Sequence, residues 1–250
     1  MSKILITGAT SGIGEALAIS LAQKDNELIL VGRNQDKLTI IKNKIENNRQ
    51  KVTTLCLDLN NSLAVKKINN SIDILINCAG LAHLGPDGAM TNEEEMTNVN
   101  ILAVVLLTKT YVKKFLKQGH GTIINIVSTS AFYPNPNLAF YGASKAFILN
   151  YTLAINEEVR QKNRNVVVKA ICPGPTATNI FPASTRNKFG SHKFEMTPQA
   201  VAKKIVQAIN GRQKVVIVGY RNIFLTLFLK ITPLSLRNKI LYKFTNIYPD

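Results

Sequence analysis

Short apolar runs recur along the chain between longer amphipathic stretches: KILIT (3–7), ELILVG (27–32), KVTTLCL (51–57), DILINC (73–78), GTIINIVS (121–128), VVVKAIC (166–172) and KVVIVG (214–219). They are rich in β-branched residues and apolar along most of their length, as strands covered on both faces must be. Between them the apolar positions take helical spacing, which predicts helices at about 12–24, 34–47, 91–118, 138–162 and 198–210. Thr197 followed by Pro198 starts the last of these, a hydroxyl cap ahead of a proline that needs no amide donor. The alternation predicts a doubly wound α/β domain with a seven-stranded parallel sheet and helices on both faces. In such a sheet ligands bind beyond the carboxyl ends of the strands, where the strand order reverses. Residues that follow each strand are therefore the candidates for chemistry.

With 250 residues and 46% hydrophobic content, the chain can bury a core as one domain, 1–250, without repeats or low-complexity tracts. The glycine-rich turn begins at Thr7, directly after SKILI, which leaves no room for a cleavable leader and predicts a cytoplasmic protein. Cys56, Cys78 and Cys172 are odd in number, far apart and without Cys/His zinc spacing, so three reduced thiols and no metal are expected. The net charge of +16 admits nucleic acid, acidic membrane surfaces or anionic ligands as partners. The excess is concentrated late: after Glu195 the only acid is Asp250, while Lys203, Lys204, Arg212, Lys214, Arg221, Lys230, Arg237, Lys239 and Lys243 follow. These bases are scattered, with no aromatic platform or nucleic-acid motif, and no nucleic-acid partner is expected.

After the first strand comes TGATSGIG, with Gly8, Thr10, Ser11, Gly12, Ile13 and Gly14. Glycines at a strand-to-helix turn let the backbone approach a pyrophosphate, whose charge meets the free amides of the helix N-terminus. After the second strand stand Gly32 and Arg33, where an acid for the ribose hydroxyls is usual in proteins that use NAD. A guanidinium instead pairs with a 2'-phosphate, so NADP(H) is expected in preference to NAD(H); the competing reading is a solvated loop arginine. Asp58, followed by Leu59, could accept from an adenine amino group or cap a helix. NCAG brings Asn77, Ala79 and Gly80, small residues against which a ribose could lie, and CPGPTAT brings Pro173, Gly174, Thr176 and Thr178 beside a nicotinamide amide. After the fifth strand come Ser128, a proline-containing loop, and then Tyr141 and Lys145, four residues apart on one face of a helix.

In this order and spacing the motifs resemble the short-chain dehydrogenase/reductase superfamily, in its single-domain branch, over residues 3 to about 219. The resemblance rests on T-G-x-x-x-G-x-G, N-x-A-G, Asn100 in NVN, Ser128, Y-x-x-x-K and P-G-x-x-x-T; Cys78 departs from it, where the family more often has a second asparagine. It implies a Rossmann fold and hydride transfer from NADPH to a ketone or aldehyde. Negative charge built on the carbonyl oxygen would be met by a proton from Tyr141. A phenol titrates near ~10, and the Lys145 cation would stabilise its anion. By the same resemblance Lys145 binds the nicotinamide ribose, Ser128 shares the oxyanion, and Asn100 holds a water that refills the proton. His83, His120 and His192 match no catalytic position of the family. A catalytically silent NADP-binding sensor is the alternative, opposed by the intact set of four. Assembly as a homodimer or homotetramer through the helices at 91–118 and 138–162 is also implied.

The family's substrate lid would fall at about 179–197, NIFPASTRNKFGSHKFEM and the cap that follows. Its phenylalanines and bases suit a carbonyl or alcohol substrate with an apolar body and an anionic end, such as an acyl thioester, or a loop that folds over the cofactor. The segment at about 220–250 has no apolar run long enough to span a membrane. Leu236, Ile240, Leu241 and Phe244 recur there at helical spacing beside Arg237, Lys239 and Lys243, the pattern of a basic interfacial helix. Peripheral membrane contact and a helix packed over the cleft or a subunit partner are both expected from it.

Overall fold

The strands alternate their side chains between two helical layers. One face of the sheet carries Ile4, Ile6, Leu28 and Leu30 against Leu17, Leu21, Val201 and Ile205, and the other carries Leu5, Ile29, Leu75 and Ile123 against Val65, Leu107, Tyr111 and Phe115. Both sets are buried, which is why these strands read as unbroken apolar runs rather than as alternating ones. The computed structural model describes residues 1–23, 26–46, 51–83, 92–180 and 195–245, with backbone alone at 243–245. Its strands are β1 (Lys3–Thr7), β2 (Glu27–Gly32), β3 (Val52–Cys56), β4 (Ile74–Asn77), β5 (Gly121–Ile126), β6 (Val166–Pro173) and β7 (Val215–Val218). They form one parallel sheet in the order β3-β2-β1-β4-β5-β6-β7, so the strand order reverses between β1 and β4. The fold is Rossmann-like, and every predicted strand is present to within two residues at each end.

The helices are α1 (Gly12–Ala22), α2 (Gln35–Glu46), α3 (Ser62–Lys66), α4 (Glu93–Met96), α5 (Ala103–Gln118), α6 (Ala139–Lys162), α7 (Pro198–Ile209), α8 (Tyr220–Ile231) and α9 (Leu234–Thr245). The stretch predicted as one helix over 91–118 is α4 and α5 joined by a π-helical turn, Thr97–Leu102. Single π turns cluster at functional positions, and this one contains Asn100. Helix α3 was not predicted because it is one turn long; Asn61 caps it by accepting from the amides of Leu63 and Ala64. Thr197 caps α7 as expected, accepting from the Ala200 amide at 3.2 Å. The tail divides at Thr232 and Pro233, since proline removes the amide needed to continue α8 and holds the preceding residue extended. Lys169 on β6 is buried and donates to the carbonyls of Ala208, Ile209 and Gly211 at 2.8, 2.8 and 2.6 Å, which caps the C-terminal end of α7 with a cation.

Candidate active site

At the strand-order reversal the ends of β1 and β4 are tied by one hydroxyl: Thr7 Oγ1 accepts from the amides of Cys78 and Ala79 at 3.0 and 3.1 Å. The turn after β1 then presses so closely on its surroundings that side chains are excluded. A Cβ on Gly8, whose φ is +67°, would lie 2.7 Å from Ala79 Cα, and one on Gly14 would lie 2.1 Å from the Gly8 carbonyl oxygen. Only glycine fits such positions. The first amides of α1 receive no side-chain cap from Ser11, so they are available to an anion.

These elements open into a cleft of about 820 Å³, within the range of cofactor sites. Of the residues expected to bind cofactor, Gly8, Thr10, Ser11, Gly12, Ile13 and Gly14 line its first wall, with Arg33, Asp58, Leu59, Ala79 and Gly80 beyond. Ser128, Tyr141 and Lys145 stand at the other end, with Pro173, Gly174, Thr176 and Thr178 facing them. Backbone-only approach at the turn, uncapped helix amides and the volume of the cleft fit a dinucleotide. Asp58 is not a helix cap; it accepts from the Asn60 amide at 2.9 Å, inside the turn that precedes Asn61. Arg33 forms an ion pair with Glu95 of α4 at 3.1 Å, a partner that the sequence did not suggest.

Two expected site residues stand elsewhere. Asn77 does not line the cleft: it is buried under the sheet, donating to Asn125 Oδ1 at 2.8 Å and Thr108 Oγ1 at 3.4 Å. The cause is strand alternation, because Asn77 shares the face of Leu75 and points at α5 while its neighbours turn the other way. Asn100 is also buried and outside the cleft lining. Its Oδ1 accepts from the Leu81 amide at 2.8 Å, and its Nδ2 donates to the Leu81 carbonyl at 2.8 Å and to Ser144 Oγ at 3.3 Å. Both ends of the amide thus clamp the turn after β4 to α6.

Tyr141 and Lys145 converge. The phenol and the Ser128 hydroxyl both line the cleft, and Ser128 acts to lower the phenol's value. The Lys145 ammonium lies 5.7 Å from the Tyr141 ring centroid and donates to the Ile126 carbonyl at 3.3 Å. A Cβ on Gly80 would stand 3.3 Å from Lys145 Nζ, so the missing side chain leaves the ammonium its place in the cleft. Burial lowers Lys145 to about 8. Burial likewise pushes Tyr141 up to about 12 and outweighs the lowering influence of Ser128, so the phenol is protonated at neutral pH. Both nearby thiols, Cys78 and Cys172, are raised to about 12 by burial and carry no anion there.

The far wall comes from residues that the motifs did not reveal. Asn222, Leu225 and Leu229 of α8 and Ile240 and Leu241 of α9 line the cleft, beside Tyr133 of the proline-containing loop. Asn222 lies against Gly174 so closely that a Cβ there would meet its side chain at 2.3 Å. No local signal could have found these contacts, since the two segments meet only in the folded chain. The segment expected as a lid, about 179–197, lies outside the described residues over 181–194; of its described residues, Asn179, Ile180 and Glu195 line the cleft.

A family model for the short chain dehydrogenase matches residues 2–188. An uncharacterized oxidoreductase of Staphylococcus epidermidis is 33% identical over 212 residues, covering 82% of this chain and 89% of that protein. A very-long-chain 3-oxoacyl-CoA reductase of Bos taurus is 29% identical over 188 residues, covering 70% of this chain and 60% of that one. Among solved structures, a short-chain dehydrogenase from Sphingobium yanoikuyae in complex with NADPH aligns with a TM-score of 0.82 at 26% identity, over 96% of this chain and 95% of that one.

Proposed function

This chain belongs to the short-chain dehydrogenase family of oxidoreductases, and we propose that it uses NADP(H) to reduce a ketone or aldehyde to the alcohol. The observation that carries the reading is the meeting of Ser128, Tyr141 and Lys145 at one end of a cleft whose other end offers Arg33 and the uncapped amides of α1. When bound there, the nicotinamide supplies the hydride. The complex of the Sphingobium yanoikuyae relative with NADPH supports this cofactor, as does Arg33, whose guanidinium would exchange Glu95 for a 2'-phosphate.

Tyr141 and Ser128 both present hydroxyls to the substrate oxygen. As negative charge grows on that oxygen, Tyr141 gives up its proton and Ser128 holds the oxyanion by a hydrogen bond. The high value of Tyr141 keeps the proton in place until the reaction calls for it, and the Lys145 cation opposes the cost of forming a buried phenolate. Asn100 acts at one remove, as a positioning residue that fastens the Gly80–Leu81 turn beside Lys145. The apolar wall from Leu225, Leu229, Ile240 and Leu241 suits a substrate with an apolar body. A 3-oxoacyl thioester, the substrate class named for the bovine relative, has such a body beside its ketone. We also infer self-association through α5 and α6, supported by the exposed Leu102, Phe147 and Leu153 on the π turn and α6.

The test follows NADPH oxidation by absorbance over a carbonyl panel of acyl thioesters, steroids, quinones and small ketones. Tyr141→Phe should lower turnover by about 10²–10⁴-fold while NADPH affinity, followed by fluorescence, stays close to wild type. Turnover retained in that variant would overturn the assignment.

A further inference from the structure

Helix α8 is apolar on two opposite faces. Its inward face holds the buried Thr226 and Leu229 and lines the cleft with Asn222, Leu225 and Leu229. Its outward face holds Tyr220, Phe224, Leu227 and Ile231, which are 77%, 74%, 57% and 84% exposed. At about 100° per residue these four fall on one stripe of the helix, with the half-exposed Ile223 and Phe228 on its two sides. The exposed face of a surface helix ordinarily carries its polar residues, and a contiguous apolar stripe there marks a contact site. Leu234, just past the Pro233 break, continues the apolar exposure onto α9. The stripe read from sequence on α9 is a different one: Leu241 is buried, and Ile240 and Leu241 turn into the cleft.

The charge around the stripe selects its occupant. Arg221 and Lys230 fall at its opposite borders, Arg221 lying 5.8 Å from the Tyr220 ring centroid and the Lys230 ammonium 5.1 Å from that of Phe132, and from these positions long basic side chains can reach past an apolar contact. Residues 196–249 contain no aspartate or glutamate. A second copy seated on this face about a two-fold axis would set that acid-free segment against itself, cation facing cation. An anionic lipid surface meets both demands, taking the apolar stripe below its headgroups and the bases among them. Among the described residues no helix is long and apolar enough to cross a membrane, so such contact lies in the interface plane.

We propose that α8 docks on anionic lipid surfaces through Tyr220, Phe224, Leu227 and Ile231, with Arg221 and Lys230 meeting the headgroups. The whole protein is sedimented with phosphatidylcholine vesicles containing about a third phosphatidylserine, and with pure phosphatidylcholine. Wild type should pellet with the anionic vesicles, weakly with the neutral ones, and less as salt is raised. Phe224→Gln with Ile231→Gln should lose about tenfold or more in partition with the melting temperature unchanged, because both side chains are exposed, and Lys230→Gln should lose about fivefold. Wild type left in the supernatant, equal pelleting with both vesicle types, or equal pelleting of wild type and double variant would overturn the proposal. So would a particle in lipid-free buffer that shrinks in the double variant, since a second copy would then be the occupant. Fluorescence titration with NADPH in lipid-free buffer reports the cleft separately, so a failure of lipid binding is distinguishable from a failure of the enzymatic reading.

Discussion

Replacing Asn100 with alanine separates two roles for this residue, a clamp on the turn after β4 and a holder of water in a proton path. In the structure its amide makes three bonds, two of 2.8 Å to the Leu81 amide and carbonyl and one of 3.3 Å to Ser144 Oγ. Ser144 retains its own donation to the Tyr141 carbonyl at 2.7 Å, so its loss is small. The two Leu81 groups are left without their partner in a partly buried turn, at about 1–2 kcal/mol each. The expected destabilisation is therefore roughly 2–4 kcal/mol, which for a chain of this size lowers Tm by about 5–15 °C. Loosening the turn also frees Gly80, whose close approach fixes the surroundings of Lys145, so NADPH affinity should weaken together with stability. The assay is thermal unfolding by circular dichroism beside NADPH titration and turnover. A variant that keeps the wild-type Tm and cofactor affinity but loses turnover would refute the clamp and favour the proton path.

Other outcomes follow from the same geometry. Because burial lowers Lys145 to about 8, its ammonium is charged below that pH and neutral above it, while Tyr141, at about 12, stays protonated throughout. For carbonyl reduction kcat/KM should accordingly fall as pH rises through about 8, and a flat profile from pH 7 to 9 would remove the cation from the mechanism. Arg33→Asp should move cofactor preference toward NADH by about tenfold or more in kcat/KM, since an acid repels the 2'-phosphate; the lost ion pair with the partly exposed Glu95 should cost under about 1 kcal/mol in urea unfolding. Lys169→Ala removes the cation that caps α7 and leaves a hole beneath it, so stability should drop by about 2–4 kcal/mol in denaturant titration while the KM for NADPH is unmoved.

Much of this protein was legible before folding, because its elements have strong local causes. The unbroken runs of β1, β2 and β6 follow from burial on both faces, and the glycines of the first turn from backbone that leaves no room for Cβ. Tyr141 and Lys145 share a face because the helical repeat brings residues four apart together. Less legible was the direction of a polar residue at a strand end. Asn77 and Ala79 belong to one motif, yet alternation sends the first side chain under the sheet and leaves the second residue in the cleft. The π turn at Asn100 and the single-turn α3 escaped for a similar reason, being too short to impose a period of their own.

Sequence by itself determined the strand–helix alternation, the glycine turn and the pairing of Tyr141 with Lys145, since each depends on contacts within a few residues or on a side chain's own size. Tertiary structure decided which apolar stripe faces inward. In the tail, α8 and α9 both carry apolar residues at helical spacing, and local pattern cannot rank one face over another. Packing against the crevice takes Leu229 and Leu241 inward and leaves Phe224 and Ile231 to the outside. It likewise brought Glu95 to Arg33 across sixty-two positions of sequence, a pairing set by where α4 meets the end of β2 rather than by anything near either residue.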